Sequence, residues 1–361
     1  MPRPRPACDA DRVGDQLRVA VVTPLDDELC SLVQQWEPRL EMVCDQSLLP
    51  PVRYPADHHG DPAFTRTPEQ EQRFAEIIAG ADALYGIPGE DPAALGRAVE
   101  SNAGLRWVHT MAAGGGALVK AAGLSAEQLE RVTFTTSAGV HAGPLAEYAL
   151  FGLLAGAKNL PRLQADAARH EWPHRWLMGQ LREQTVLVVG LGGIGSEVAR
   201  VLAALGTRVI GTSRRGEPVD GVAELVHPSE LAAVVGRVDG IVVTLPGTAA
   251  TQRLVSADVL AAVRPGTTLV NVGRGTVIDE DALVEALRDG RIGFAALDVF
   301  AAEPLDPTSP LWDLPNVVIS PHNATLTPAE GRRIAELFAE NATRLLDGKP
   351  LRNVVNTVEF Y

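Results

Sequence analysis

Four charged or ionisable residues in the second half of the chain stand where apolar, strand-like runs give way to turns. Arg274 lies between two glycines in Val270-Asn-Val-Gly-Arg-Gly275. Asp298 and Glu303 follow the apolar run ending at Leu297, and His322 follows Ser320-Pro321. One guanidinium, two carboxylates and one imidazole suit the reduction of a 2-keto acid. Arginine anchors a carboxylate through its planar fork, and histidine supplies a proton near neutral pH. A carboxylate beside such a histidine orients the ring and favours its protonated form. A charge set between glycines at a strand end favours a site over plain surface, and Glu303 is read in the same way. Among the other histidines, His58 and His59 fall in a loop. His109 is either pocket lining or a buried ring with its hydrogen bonds met. His170 and His174, with Trp172 and Trp176, suit an interface or plain surface. None has Cys or acidic neighbours at ligand spacing, so no metal is expected.

The element that must position this set is Val186-Leu-Val-Val-Gly190-Leu-Gly192-Gly193-Ile194-Gly195, followed by apolar residues at helical spacing (Val198, Val201, Leu202, Leu205). In a strand–turn–helix unit of this kind the first glycine permits a tight turn and the second lets the backbone approach a pyrophosphate. The third lets helix and strand pack closely. The helix N-terminus then offers unpaired N–H groups to the phosphates. The next strand ends in Ser213-Arg214-Arg215, where a site for NAD usually carries an acid that holds the ribose 2′-hydroxyl. Arginines there suit a 2′-phosphate, so NADP(H) is favoured over NAD(H). Glu217 or Asp220 folding back is the alternative.

Strand-like runs recur along the chain: Arg18–Thr23, Ala83–Ile87, Leu105–His109 and Val132–Thr135 in the first half. Val186–Val189, Val209–Gly211, Gly240–Thr244, Thr268–Asn271, Gly293–Leu297 and Val317–Ser320 follow in the second. Helical patterns alternate with them, which implies parallel α/β sheets. The expected fold is two doubly wound α/β domains, a flavodoxin-like domain and a Rossmann domain. Residues 1–17 read as a disordered tail, 18–145 as the first part of a substrate domain and 146–326 as the dinucleotide domain. Residues 327–361 read as a return to the substrate domain through a helix over Pro328–Leu346. Leu145–Ala168 reads as the helical connection, ending near Pro161 or continuing past it. Pro50–Thr67 reads as loop.

The 361 residues exceed one typical core. With 46% hydrophobic content and no apolar run of membrane-span length, a soluble chain is expected. A net charge of −13 argues against nucleic acid and anionic membrane surfaces as partners. Cys8, Cys30 and Cys44 lack metal or redox spacing and read as free thiols. Without a signal-peptide pattern at its start, the chain is expected to be cytoplasmic.

Taken in order, Gly190-Leu-Gly-Gly-Ile-Gly195, Leu245-Pro-Gly-Thr-Ala-Ala-Thr251, Asn271-Val-Gly-Arg-Gly-Thr-Val-Ile-Asp279, Leu297-Asp-Val-Phe-Ala-Ala-Glu-Pro-Leu305 and Ser320-Pro-His322 resemble the signatures of the D-isomer-specific 2-hydroxyacid dehydrogenase family. The resemblance covers about Leu105 to Val355 and, more loosely, the chain from Arg18. It implies a hydride exchange between a nicotinamide cofactor and a 2-keto or 2-hydroxy acid, of the glyoxylate/hydroxypyruvate type. Domain closure is expected to exclude water. By the resemblance Arg274 binds the substrate carboxylate and helps polarise the keto oxygen. His322 is the proton donor in reduction, and Glu303 pairs with it. Asp298 matches the position that contacts the nicotinamide carboxamide. Leu245, Pro246, Thr251, Val272 and Gly273 join the glycine loop and Ser213–Arg215 in the cofactor site. Gly86, Ile87, Ala113 and Gly114 match substrate-contacting backbone, although Pro88 lacks an N–H. The family also implies a homodimer, with Leu145–Trp176 as the candidate interface. Departures are Ser213-Arg214 in place of an acid, and Asn323-Ala-Thr-Leu after the histidine. Residues 44–67 match nothing in the family. Glu303, where formate dehydrogenases of the superfamily carry Gln, disfavours that reaction. Nothing in the sequence reads as an added regulatory domain, which disfavours a feedback-controlled phosphoglycerate dehydrogenase. The rival reading is a nucleotide-sensing, corepressor-like regulator on the same fold. The chain's acidic, compact character, without a long partner-binding tail, favours the enzyme.

Overall fold

A computed structural model describes residues 16–358 and Phe360. The segment read as a tail lies outside the described residues, apart from its last two positions. Leu17, the last of them, already opens a strand. Contacts divide the chain into two units, one comprising residues up to 140 with 326 onward, the other residues 141–325.

The first unit holds a parallel sheet of β1 (Leu17–Val21), β2 (Leu40–Val43), β3 (Ala83–Tyr85), β4 (Trp107–Thr110) and β5 (Thr133–Thr136), in the order β2-β1-β3-β4-β5. This is the flavodoxin-like doubly wound order, with its reversal between β1 and β3. β3 and β4 are buried along their whole length, as strands covered on both faces must be. The helix Glu330–Leu346 returns to this unit. Its Phe338 stacks on Trp107 with ring centroids 4.5 Å apart and meets Tyr85 edge-on at 5.0 Å, all three fully buried. The helix begins at Glu330, two residues after the expected start, because 327–329 form a turn.

A polar contact fixes the same helix at its far end. Glu37, 4% exposed, ends the helix Asp27–Trp36 and accepts from Thr343 Oγ1 at 2.7 Å and from Arg39 Nε at 2.8 Å. Hydrogen bonds from Arg39 hold the Glu37 carboxyl down to about 2, against the opposing cost of burial. A depressed carboxyl contributes stability that is complete above its unfolded value, 4.5, and is lost as pH falls toward 2. Glu37→Gln should therefore lower unfolding free energy by about 2 kcal/mol at neutral pH. It should make little difference below pH 2, and denaturant titrations at the two pH values would show the contrast.

The second unit carries β6 (Thr185–Val189), β7 (Arg208–Thr212), β8 (Glu224–Val226), β9 (Gly240–Val243), β10 (Thr267–Asn271), β11 (Ile292–Leu297) and β12 (Val317–Ile319). The sheet is wholly parallel, in the order β12-β11-β10-β9-β6-β7-β8. From β8 inward this is the Rossmann 3-2-1-4-5-6 arrangement with one further strand, and its switch point lies between β6 and β9. The stretch from Leu145, read as helical and either ending near Pro161 or continuing past it, forms two helices. Helix Ala142–Ala157 ends and Asn159 takes a left-handed φ of 52°. Its side chain then caps a new helix, Leu160–Ala168. Pro161 is accommodated in that helix's first turn, where its missing N–H costs nothing. Among the described residues no helix is long and apolar enough to cross a membrane.

Candidate active site

All strands of the second unit are parallel, so their carboxyl ends lie along one edge. The sequence-predicted residues sit there in a row: Ser213–Arg215 after β7, the glycine loop after β6, Leu245 after β9, Arg274 after β10, Asp298 and Glu303 after β11, and His322 after β12. Crevices outside this edge are where open α/β sheets bind their ligands.

The glycine loop has the geometry its sequence requires. Gly190 adopts φ 103°, its N–H donates to Thr212 Oγ1 at 2.9 Å, and its carbonyl accepts from Thr244 Oγ1 at 2.8 Å. A Cβ on Gly195 would fall 1.8 Å from the Gly190 carbonyl oxygen, so only glycine lets helix Gly193–Ala204 approach β6. Gly192 caps that helix, and a Cβ there would meet no protein atom within 4 Å. Gly192 and Gly193 are exposed and Ile194 half-buried. The first N–H groups of the helix therefore face open space, which fits a pyrophosphate. Leu245 packs against Val272-Gly273 so closely that a Cβ on Gly273 would lie 2.6 Å from the Leu245 carbonyl oxygen. Thr251 donates to the exposed Pro246 carbonyl at 2.6 Å and accepts from Thr248 N–H, closing the 246–251 loop.

After β7 the Ser213 hydroxyl accepts from the N–H groups of Arg215 and Gly216, at 3.2 and 3.0 Å. This turn leaves both guanidinium groups, Arg214 and Arg215, exposed, with no partner among the described residues. Glu217 and Asp220 are exposed as well.

Asp298 organises the histidine turn. It is 1% exposed, and its Oδ1 accepts from Ser320 Oγ at 2.6 Å and from the N–H groups of Asn323 and Ala324 at 3.0 and 3.1 Å. Its carbonyl accepts from His322 N–H at 2.9 Å. These bonds hold His322 at φ 53°, a left-handed conformation uncommon for a side chain with Cβ. The ring then places Nδ1 2.7 Å from Glu303 Oε2. Glu303 Oε1 is itself fixed by Phe300 N–H at 3.0 Å. With Nδ1–H directed at the carboxylate, Nε2 has no protein partner among the described residues and is the ring atom available for proton transfer. Arg274 Nη1 donates to the Gly273 carbonyl at 2.7 Å. The rest of its guanidinium is exposed, with no hydrogen bond or ion pair joining it to Glu303 or His322.

In the first unit Gly86 and Ile87 follow β3, and Ile87 is fully buried. Ala113 and Gly114 form an exposed turn after β4. His109 is a buried structural ring. Its Nδ1 lies 2.8 Å from Thr135 Oγ1 and its Nε2 3.1 Å from Ser137 Oγ, and burial pushes its pKa down to about 3. His58 is a loop residue, as expected, but its Nε2 lies 3.5 Å from buried Glu330. The sequence reading missed Thr212, Thr244, Asn271, Ser320 and Tyr148 as supports. Asn271 accepts from Gly273 N–H and donates to the Arg274 carbonyl, while the Tyr148 hydroxyl lies 2.9 Å from Ser320 Oγ. Polar residues closing buried strands were the available signal. No group of three or more His, Cys, Asp or Glu among the described residues could hold a metal.

Comparison with known proteins bears on this arrangement. Residues 150–324 match the D-isomer specific 2-hydroxyacid dehydrogenase, NAD binding domain family. The chain is 36% identical over 239 residues to a glyoxylate reductase of Aeropyrum pernix, covering 62% of this chain and 69% of that one. The chain belongs to the D-isomer specific 2-hydroxyacid dehydrogenase family. A D-isomer specific 2-hydroxyacid dehydrogenase of Xanthobacter autotrophicus, solved with NADPH, superposes with a TM-score of 0.74 at 28% identity. That match covers 96% of this chain and all of the other. The NADPH-dependent glyoxylate/hydroxypyruvate reductase of Sinorhizobium meliloti gives 0.73 at 26%, with the same coverage. Several D-3-phosphoglycerate dehydrogenases also match, but the chain spans only 40% of their length. This family member is an oxidoreductase of the nicotinamide-dependent 2-hydroxyacid dehydrogenase class. The corepressor-like alternative gains no support from these relatives.

Proposed function

We propose that the chain reduces small 2-keto acids of the glyoxylate or hydroxypyruvate type, with NADPH preferred to NADH. The observation that carries this reading is the Glu303–His322 pair, 2.7 Å apart at the ends of β11 and β12 of a dinucleotide-type sheet, with Arg274 exposed at the end of the adjoining strand β10. The reduced nicotinamide, when bound, supplies the hydride for C2 of the keto acid. Arg274 binds the substrate carboxylate and draws charge from the keto oxygen. His322 Nε2 delivers a proton to the forming alkoxide, and Glu303 stabilises the protonated ring through Nδ1. Asp298 acts on the turn that aims His322, besides the carboxamide contact implied for it. Gly86, Ile87, Ala113 and Gly114 supply backbone contacts to the substrate. Initial rates on a panel of 2-keto acids, with NADPH and with NADH, test the reading. No turnover with any of them, despite nucleotide binding, would overturn it.

The cofactor preference rests on Arg214 and Arg215, whose guanidinium groups are exposed where an acid would repel a 2′-phosphate. A charge-assisted bond contributes about 1.5–3 kcal/mol, roughly tenfold or more in kcat/KM. Arg214→Ala should raise the KM for NADPH by that factor and leave the KM for NADH nearly unchanged. A wild-type preference for NADH would contradict this.

The chain is also proposed to act as a cytoplasmic homodimer, since two-fold dimers are the commonest assembly. The segment after helix Leu160–Ala168 leaves Trp172 fully exposed and Leu177 98% exposed. Phe151 and Leu163 on the two helices before it are also exposed. Covering such an apolar face stabilises association. Light scattering at micromolar concentration should give twice the chain mass, and Trp172→Asp with Leu177→Asp should give the monomer. A monomeric wild-type protein would refute the assignment.

A further inference from the structure

Tyr148, Gly152 and Gly156 stand four residues apart on helix Ala142–Ala157 and so share one face. That face lies against the sheet. A Cβ on Gly156 would fall 2.1 Å from Thr268 Oγ1, and one on Gly152 would fall 2.7 Å from Val270 Cγ2 and 2.8 Å from Ala296 Cβ. Followed back from Gly156, the helix thus advances along β10 towards its carboxyl end, and the next position on the face, Tyr148, reaches the edge that carries the site. There its hydroxyl lies 2.9 Å from Ser320 Oγ. Ser320 has a single proton and gives it to Asp298 Oδ1 at 2.6 Å, so in the other bond the phenol is the donor. Burial raises the Tyr148 pKa above its ordinary value of 10.0, which keeps that proton in place. A relay results. Tyr148 donates to Ser320, Ser320 donates to Asp298, and the same Asp298 oxygen accepts from the N–H groups of Asn323 and Ala324.

The histidine turn needs such an anchor. β12 is an edge strand of three half-buried residues, paired with β11 alone. The chain leaves this unit after residue 325, three residues past His322. A strand end so lightly held frays readily. His322 also keeps a left-handed φ of 53°, a conformation that persists only where its surroundings enforce it. We propose that Tyr148 is a positioning residue for His322, holding the histidine turn through Ser320 and Asp298. The role rests on the keto-acid reductase reading, in which His322 moves the proton. The helix that carries Tyr148 begins one residue after the chain enters the unit. One hydroxyl therefore ties the segment by which the chain enters the unit to the one by which it leaves.

The test compares Tyr148→Phe, Ser320→Ala and the double variant of the full-length protein. Amide hydrogen exchange resolved at single residues is read beside steady-state reduction of hydroxypyruvate with NADPH. Tyr148→Phe keeps the ring and its contact with Phe151, whose ring centroid lies 5.9 Å away. Losing one bond of the relay should speed exchange at His322, Asn323 and Ala324 roughly threefold to tenfold and lower kcat by a similar factor. Exchange in β6 and the KM for NADPH should not change. In the Ser320→Ala background, Tyr148→Phe should add nothing to either effect, because the tie is already broken, whereas a packing role would multiply the two losses. Exchange at the wild-type rate in Tyr148→Phe would overturn the proposal whatever the activity. Multiplied losses, or faster exchange with an unchanged kcat, would overturn it too. A wild-type protein that reduces no keto acid would instead overturn the reductase reading, and faster exchange in Tyr148→Phe would still support the anchor.

Discussion

His322→Ala should lower kcat for keto-acid reduction by about 10²–10⁴, the range for removal of a positioned general acid, and leave NADPH binding nearly intact. The reason is geometric. Nδ1 is committed to Glu303 at 2.7 Å, and the turn that carries the ring is fixed by three hydrogen bonds to Asp298 Oδ1 and one to its carbonyl. No other titratable group follows β12 before the chain leaves the sheet edge. Glu303→Gln separates orientation from charge. It keeps a side chain of the same shape but can direct an N–H at Nδ1 and select the wrong tautomer, a loss of roughly 10² in kcat. Fluorescence titration with NADPH beside steady-state kinetics checks both variants. A His322→Ala protein with near-normal kcat would remove the proton-transfer assignment, whereas a normal Glu303→Gln would remove only the pairing.

The second large effect is expected at Arg274. Its guanidinium is exposed at the end of β10, and only Nη1 is engaged, with the Gly273 carbonyl. If it both binds the substrate carboxylate and offsets charge on the keto oxygen, Arg274→Ala should lose about 10²–10³ in kcat and raise the keto-acid KM as well. Arg274→Lys keeps the charge but not the planar fork, so it should recover only part of the loss. Unchanged KM for the keto acid in both variants would show that another group holds the carboxylate.

Why these residues could be found from the sequence, and their supports could not, follows from the range of the interactions. The glycine loop, the β10 turn around Arg274 and the β11 and β12 ends are local patterns, because each polar residue follows its own buried strand directly. The all-parallel sheet then guarantees that the ends share an edge. The dependence of His322 on Asp298 is a contact between neighbouring strand ends and has no spacing of its own. β2 and β8 escaped notice because they are sheet-edge strands of four and three residues, half-exposed for much of their length, and carry no buried apolar run. The break between the two helices near Pro161 depends on Asn159 taking a left-handed φ, a conformation that asparagine tolerates but that its presence does not dictate.

The central claim is that the Arg274, Glu303 and His322 edge reduces a 2-keto acid. It is tested most directly by following the label from NADPH carrying deuterium at the transferable C4 position. Incubated with hydroxypyruvate and the wild-type protein, it should yield D-glycerate with deuterium at C2. The His322→Ala protein should form that product at least about 10²-fold more slowly. Unlabelled hydroxypyruvate recovered from a wild-type protein that binds NADPH would contradict the account.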